Sequence, residues 1–291
     1  MQRRKFLATL GALMVTGSLV FAGGWWRATR WSPFRVRVER YDLAMAKLPS
    51  EFVGLRIAQV SDLHLSNLVP AEYLQSCFDK VMSEKPEIIF LTGDFLTAEP
   101  GHRRGTVFED YSATLKQLLR QLKAPLGVWA CLGNHDVSLG PGRMSRLLEE
   151  SGVRVLRDEW TYLRFPGGAQ SLAIGGLRDQ LEFPHPRRVF ADLPDEEPIL
   201  ILMHQPDMFE NWEGPDNVLI FAGHLHGGQV NLPGITSRFV PSDYGNKYLS
   251  GVFRNGPRQM LVNRGLGVIR HQIRFRSPPE ISLVTLARRS D

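Results

Sequence analysis

Hydrophobic residues in this chain fall into short, nearly uninterrupted runs, and the runs end alike. Leu55–Val60, Ile88–Leu91, Leu126–Leu132, Ile199–Met203 and Val218–Ala222 are four to seven residues long and rich in branched side chains. That is the pattern of strands buried on both faces. Each run gives way at once to residues that carry chemistry: Ser61-Asp62-Leu63-His64, Thr92-Gly93-Asp94, Gly133-Asn134-His135-Asp136, His204-Gln205-Pro206-Asp207 and Gly223-His224-Leu225-His226-Gly227-Gly228.

Helical spacing separates the first of these runs. Leu74, Cys77, Phe78, Val81 and Met82 recur at three and four residues and predict a helix over 70–83, with Pro70 in its first turn. Tyr111, Leu115, Leu118, Leu119 and Leu122 mark a second helix. A Gly/Pro loop is expected after Asp136, then a third helix carrying Met144, Leu147 and Leu148 and stopping at Gly152. Arg35–Tyr41 alternates polar and apolar residues as a half-buried strand does. Residues 153–174 read as short strands around a Gly167-Gly168 turn, and 178–198, with Pro184, Pro186 and Pro194, as a surface connection. The stretch 229–257 is loop-rich, and its Tyr244, Tyr248 and Phe253 are expected to border a substrate cleft; Gln259–Val262 and Ile281–Leu286 are closing strands. Early strands alternate with helices and later ones do not, which predicts a layered α/β protein whose strands feed one rim.

Composition narrows this further. At 291 residues the chain can bury one sizeable core or two small ones, and 43% apolar with 22% charged residues is globular. The formal charge of +5 owes much to Arg3, Arg4 and Lys5; without them 32 basic side chains face 30 acidic ones, a balance of +2. With no basic stripe of interleaved aromatics in the body, nucleic acid is not an expected partner. Cys77 and Cys131 are expected as buried free thiols, a disulfide in an oxidising compartment being the alternative.

Residues 1–22 read as a targeting segment. Arg3-Arg4-Lys5-Phe6-Leu7 opens a run of seventeen uncharged residues from Phe6 to Ala22 and resembles a twin-arginine export signal. Val20-Phe21-Ala22 supplies small residues for cleavage, whereas Trp25, Trp26 and Trp31 with Arg27 and Arg30 suit a membrane interface and a retained anchor. The chain thus divides into a twin-arginine-type signal or membrane anchor at 1–22, a linker and first strand at 23–51, and a catalytic domain at 52–291. The expected location is outside the cytoplasm, in the periplasm or on the outer face of the cytoplasmic membrane.

Five of the eight histidines sit at the strand ends. Scattered histidines would not gather so. With Asp62, Asp94 and Asn134 they form a set of carboxylate, imidazole and amide donors suited to divalent Mn, Zn, Fe, Co or Ni, without the thiolates of a structural zinc site. Asp62 and His64 are two residues apart, so an extended chain points them the same way, and His224 and His226 repeat the spacing. Gly93, Gly133 and Gly223 are expected to let the backbone turn beside them.

These residues resemble the calcineurin-like metallophosphoesterase superfamily, whose pattern runs Asp-x-His, Gly-Asp, Gly-Asn-His-Asp/Glu, His and Gly-His-x-His. All five blocks occur here in that order, within about residues 52–286. The tails Gly227-Gly-Gln-Val-Asn-Leu-Pro233 and Arg264-Gly-Leu-Gly267 resemble the bacterial exported YkuE/YaeI-type branch, which includes phosphodiesterases and relatives acting on UDP-diacylglucosamine. The resemblance implies an α/β fold, a layered metallophosphoesterase sandwich of two β-sheets flanked by helices, with its active site at the strand ends. It implies two metal ions. Asp62, His64 and His226 would hold one; Asn134, His204 and His224 would hold the other; and Asp94 would bridge them. A hydroxide between the metals would attack phosphorus in line, and His135, which is no ligand, would stabilise or protonate the leaving oxygen.

One departure matters. Phosphoprotein phosphatases of the superfamily carry Gly-Asp-x-x-Asp-Arg, whereas Gly93-Asp94-Phe95-Leu96-Thr97-Ala98 lacks both later side chains. A protein phosphatase is thereby disfavoured, and Asp136 and Thr97 become the candidate partners of His135. Gln205, Asp207 and Gln229 are expected to shape loops, and His185 and His271 to lie on the surface. His102 with Arg103 and Arg104 is a weaker phosphate candidate. The expected activity is hydrolysis of a phosphodiester or pyrophosphate in the cell envelope, a lipid-linked substrate included, by a protein expected to be monomeric. The rival reading is a metal-binding envelope protein without turnover.

Overall fold

A computed structural model of the chain describes residues 22–97 and 106–289. The first twenty-one residues of the targeting segment, and His102 with its two arginines, lie outside the described residues. The strands are β1 (Arg37–Met45), β2 (Arg56–Val60), β3 (Ile88–Thr92), β4 (Val128–Cys131), β5 (Val153–Val155), β6 (Glu159–Leu163), β7 (Leu172–Gly176), β8 (Ile199–Leu202), β9 (Val218–Ala222), β10 (Gly251–Asn255), β11 (Arg258–Val262) and β12 (Glu280–Arg288). The α-helices are α1 (Ala71–Ser83), α2 (Val107–Leu119), α3 (Asn134–Leu139), α4 (Pro141–Glu149) and α5 (Pro186–Val189).

The strands form two six-stranded sheets, in the orders β1-β12-β2-β3-β4-β5 and β10-β11-β9-β8-β7-β6. Strands β2 to β5 run parallel, and so do β7, β8, β9 and β11. Strand β1, extending past the predicted Tyr41 to Met45, pairs in parallel with β12 and so makes the sheet's edge from the two ends of the described chain.

Alternation along each strand sorts its residues into layers. In β3, Ile89 and Leu91 face a core shared with Leu74, Phe78, Leu115 and Leu148 of the helices. Ile88 and Phe90 face the other way and pack with Leu200, Leu202, Leu219 and Phe221 of the second sheet. The second sheet's far side, through Ile201, Ile220 and Met260, packs on Phe209, Trp212 and Tyr248. Because both faces of both sheets are covered, the central strands read as continuous apolar runs.

One feature departs from the sequence reading. Helix α3 carries the chain from Asn134 to Leu139, so the loop expected directly after Asp136 starts only at Gly140. The Asp136 carboxylate reaches back to accept the Gly133 N–H at 2.9 Å and so caps the helix. Tyr248 is buried, and Tyr244 and Phe253 pack against the same cluster. The β10–β11 hairpin extends the second sheet, and these rings pack on its outer core. Both cysteines are buried free thiols, as expected.

The rings of Phe90 and Phe221, centroids 4.8 Å apart and edge to face, join the two sheets at the centre of the sandwich. Phe90→Ala should cost about 3–5 kcal/mol in urea unfolding, because the cavity has no side to collapse from, whereas Trp26→Ala on the surface should change stability by less than about 0.5 kcal/mol. Equal effects from the two substitutions would show that the inter-sheet core is not where the stability lies.

Candidate metal centre

Parallel strands present their C-terminal ends on one side. Here β2, β3 and β4 of one sheet and β8 and β9 of the other deliver Asp62 and His64, Asp94, Asn134, His204, and His224 and His226 to a single rim. The inter-sheet packing decides this convergence. Gln59, wholly buried in β2, donates through its side-chain amide to the Ala222 carbonyl at 2.8 Å and to the Thr92 hydroxyl at 3.1 Å, tying the strands together just below the site.

Two ligand groups emerge. Asp62, His64 and His226 form one; Asp94, His204 and His224 form the other; within each, the donor atoms lie within 4.8 Å of one another. In the first, His64 Nε2 and His226 Nε2 are 3.0 Å apart and lie 3.8 and 3.5 Å from Asp62 Oδ1. In the second, His204 Nε2 lies 3.2 Å from both His224 Nδ1 and Asp94 Oδ2. Asp94 Oδ2 also lies 3.6 Å from His64 Nε2, so one oxygen serves both groups. The Asn134 Oδ1 is buried beside them with no hydrogen-bond partner. A buried carbonyl oxygen left unpaired costs free energy that a cation would recover. The donor set and the unpaired amide therefore fit divalent metal binding.

The backbone that holds these groups is unusual. Asp62, His64, Asp94, His224 and His226 all have positive φ, between 46° and 73°. The expected extended geometry is thus corrected: each paired motif runs through left-handed turns. Non-glycine residues adopt these at a cost, which tends to be met at functional sites. Among the glycines, Gly93 does turn the chain, at φ +91°. Gly133 and Gly223 matter for space, since a Cβ on Gly133 would meet the Asp94 carboxylate and one on Gly223 would meet Ser61 and Asp62.

Asp136 is the clamp. Its carboxylate accepts N–H groups from Asp94 at 2.7 Å, Phe95 at 2.9 Å and Gly133 at 2.9 Å, joining the β3 and β4 loops. Burial, then the Asp94 charge, pushes its pKa up to about 7. It does not orient His135. That contact belongs to Thr97, whose Oγ1 lies 2.6 Å from His135 Nδ1 and which stands where the phosphoprotein phosphatases carry their second Asp. His135 also meets the distances of a ligand group with His64 and Asp94. It is only partly buried, and Thr97 occupies its Nδ1, so Nε2 is the polar atom left for a substrate. His204 is fixed similarly: its Nδ1 lies 2.7 Å from the Thr92 carbonyl, which places a ring proton there and turns Nε2 toward Asp94.

The electrostatics are those of a metal-binding pocket. Burial opposes the Asp94 charge, but His204, His135 and His64 around it hold its carboxyl well below the usual carboxylate range. Burial likewise opposes an imidazolium at His204, yet Asp94 beside it raises its pKa well above the ordinary histidine value. Burial pushes Asp62 up to about 6 and drives His64 and His226 down, with His224 down to about 3, so these three rings are neutral, the form that ligates.

Two residues had no signal in the sequence. Arg274 is wholly buried, and its guanidinium donates to the carbonyls of Arg264, Gly265 and Ser277 at 3.0–3.1 Å, while its Nη2 lies 3.3 Å from His226 Nδ1. It thereby locks the Arg264–Gly267 turn against His226. Asp179, also buried, accepts the Gln205 amide at 3.0 and 3.2 Å. Gln205 shapes its loop as expected; Asp207, accepting from Ser242 and Asp243, and Gln229, bonded to Ile269, do the same. His185 and His271 are exposed.

Comparison with known proteins agrees with the geometry. Residues 55–228 match the model of the calcineurin-like phosphoesterase family. The chain is 31% identical over 289 residues to the uncharacterized metallophosphoesterase YkuE of Bacillus subtilis, with 98% of each chain covered. It is 30% identical over 313 residues to the UDP-2,3-diacylglucosamine pyrophosphatase LpxG of Chlamydia trachomatis, covering 89% of this chain and 92% of that one. It is 27% identical over 287 residues to the phosphodiesterase YaeI of Escherichia coli, with 98% of each covered. With its sandwich and its rim of carboxylates and histidines, the chain belongs to the calcineurin-like phosphoesterase family of metal-dependent phosphoric ester hydrolases.

Proposed function

We propose that this protein is an exported hydrolase that uses two divalent ions to cleave a phosphodiester or pyrophosphate bond in the cell envelope, with a lipid-linked substrate favoured. The observation that carries the reading is the shared Asp94 oxygen, 3.6 Å from His64 Nε2 in one ligand group and 3.2 Å from His204 Nε2 in the other. A bridging carboxylate between two three-residue groups is a dinuclear arrangement. Asp62, His64 and His226 would hold one ion, and Asn134, His204 and His224 the other. When bound, such ions activate water and neutralise charge developing on phosphoryl oxygens. The substrate class is supported by the relatives, one a pyrophosphatase of a diacylated sugar nucleotide and one a phosphodiesterase.

The chain's own contribution is His135. With the Thr97 hydroxyl, 2.6 Å from Nδ1, taken as the donor, the ring proton is carried on Nε2, where it can be given to a leaving oxygen. Asn134, its neighbour, would keep it close to bound ions, and the Asp94 carboxylate accepts the His135 backbone N–H at 2.9 Å, so the residue is anchored to the proposed bridging carboxylate. A protein that only stored metal would need neither contact. This favours an enzyme over the metal-binding rival.

His135→Ala should keep fold and bound metal yet lose ~10²–10⁴-fold in turnover, and the loss should shrink for nitrophenyl diesters, whose leaving group needs little protonation. Thr97→Val should lower kcat by about 2–10-fold with KM little changed, the worth of one hydrogen bond, and Thr97→Ser should restore it. Loss of metal from His135→Ala would make the residue a ligand. Unchanged turnover in both variants would remove the pair from catalysis.

Export rests on Arg3-Arg4-Lys5-Phe6-Leu7. Replacing Arg3 and Arg4 by Lys should hold the protein in the cytoplasm on cell fractionation. Undiminished export of that variant would contradict the twin-arginine route.

A further inference from the structure

Where the described chain begins, beside the metal centre, a cavity of about 320 Å³ is lined by Arg27, Trp31, Arg35, Arg37, Arg274 and Arg276, and no carboxylate is part of its wall. Among the described residues, Arg27, Arg35, Arg37 and Arg276 make no ion pair, although arginines elsewhere regularly do, as Arg40 does with Glu84 and Arg264 with Glu39 and Glu280. Two of them hold Trp31 between them, with guanidinium carbons 4.8 Å (Arg27) and 4.0 Å (Arg35) from its ring centre. The wholly buried Arg274 contributes to the wall, and its Nε has no hydrogen-bond partner. Arg27, Arg35, Arg37 and Arg276 are exposed, and with no carboxylate beside them their summed positive field makes this face an attractor for an anion.

The surroundings say which anion. Trp25 and Trp26 are 58% and 60% exposed, and Trp31 and Phe275 also stand open to solvent. Tryptophan and arginine together are the residues of a membrane interface. The uncharged run from Phe6 to Ala22 ends two residues before Gly24, the first residue of the cavity wall. Among the described residues no helix is long and apolar enough to cross a membrane. The cavity is also joined to the metal centre: the Arg274 N–H donates to the Ala28 carbonyl at 2.9 Å, and the Arg274 guanidinium lies against His226.

We propose that this cavity binds the phosphate of an anionic phospholipid headgroup and so seats the rim of the metal centre against the bilayer surface. The guanidinium groups of Arg27, Arg35 and Arg276 would take the phosphate oxygens, while Trp25, Trp26 and Phe275 rest among the headgroups. The inference goes beyond the hydrolytic reading, since binding here requires no turnover and is measured without it.

The test uses the full chain in neutral maltoside micelles, titrated with dioleoyl phosphatidylglycerol or with dioleoyl phosphatidylcholine and followed by native mass spectrometry. Each arginine near an anionic headgroup contributes roughly fivefold in affinity. Wild type should therefore retain one phosphatidylglycerol at least about tenfold more strongly than phosphatidylcholine. R27Q/R35Q/R276Q should erase that preference with its thermal unfolding unchanged. R187Q/R188Q/R254Q, which removes the same charge at exposed arginines elsewhere, should keep it. An equal loss in both triple variants would make the attraction a diffuse charge effect and overturn the site. So would the lack of a preference in wild type. Displacement of the lipid by millimolar inorganic phosphate would show a free-phosphate site and overturn the headgroup assignment.

Discussion

Three buried carboxylates in one small volume are what the rest of this molecule has to accommodate. Asp62, Asp94 and Asp136 have almost no contact with solvent, and each is within the field of another. Placed there without partners they would repel one another and stay unsolvated. The structure treats them differently. Asp136 is saturated by three backbone N–H groups and becomes part of the scaffold. Asp94 is surrounded by imidazoles and keeps its charge. Asp62 accepts the His224 N–H and faces His64 and His226 of its ligand group. Five left-handed residues, two glycines that admit no Cβ and a buried arginine keep this arrangement from relaxing. Such expense is reasonable where divalent cations supply the missing positive charge.

The sandwich exists to bring two rims together. Neither sheet alone carries the predicted ligand sets: the first sheet lacks His226, which completes the group of Asp62 and His64, and the second lacks Asp94, which completes that of His204 and His224. The inter-sheet core of Phe90, Phe221 and their neighbours therefore sets the separation of the ligand groups, and Gln59 holds the register just beneath them. Stability of the core and geometry of the site are the same constraint seen from two ends.

Much of this was legible in the chain. Five apolar runs, each closing on histidine, aspartate or asparagine, located both the strands and the rim. What was illegible has physical causes. Helix α3 hides because its cap is Asp136 reaching backwards, a contact that a Gly-Asn-His-Asp string does not distinguish from a turn. The left-handed turns at Asp62, His64 and His224 go against the ordinary preference of those residues, so no local rule predicts them. Arg274 lies in a stretch that also holds Arg270 and Arg276, and only the tertiary fold buries one and exposes the others. Thr97 was one of two candidates for orienting His135, and the hydrogen-bond geometry separates them.

On the proposed reading, one carboxylate, Asp94, couples two metal positions. Electron paramagnetic resonance of the manganese-loaded protein tests it directly. With two Mn(II) equivalents bound, wild type should give the broadened spectrum of an exchange-coupled pair. Asp94→Ala should give only the six-line spectrum of isolated ions. An uncoupled spectrum from fully loaded wild type would contradict the account.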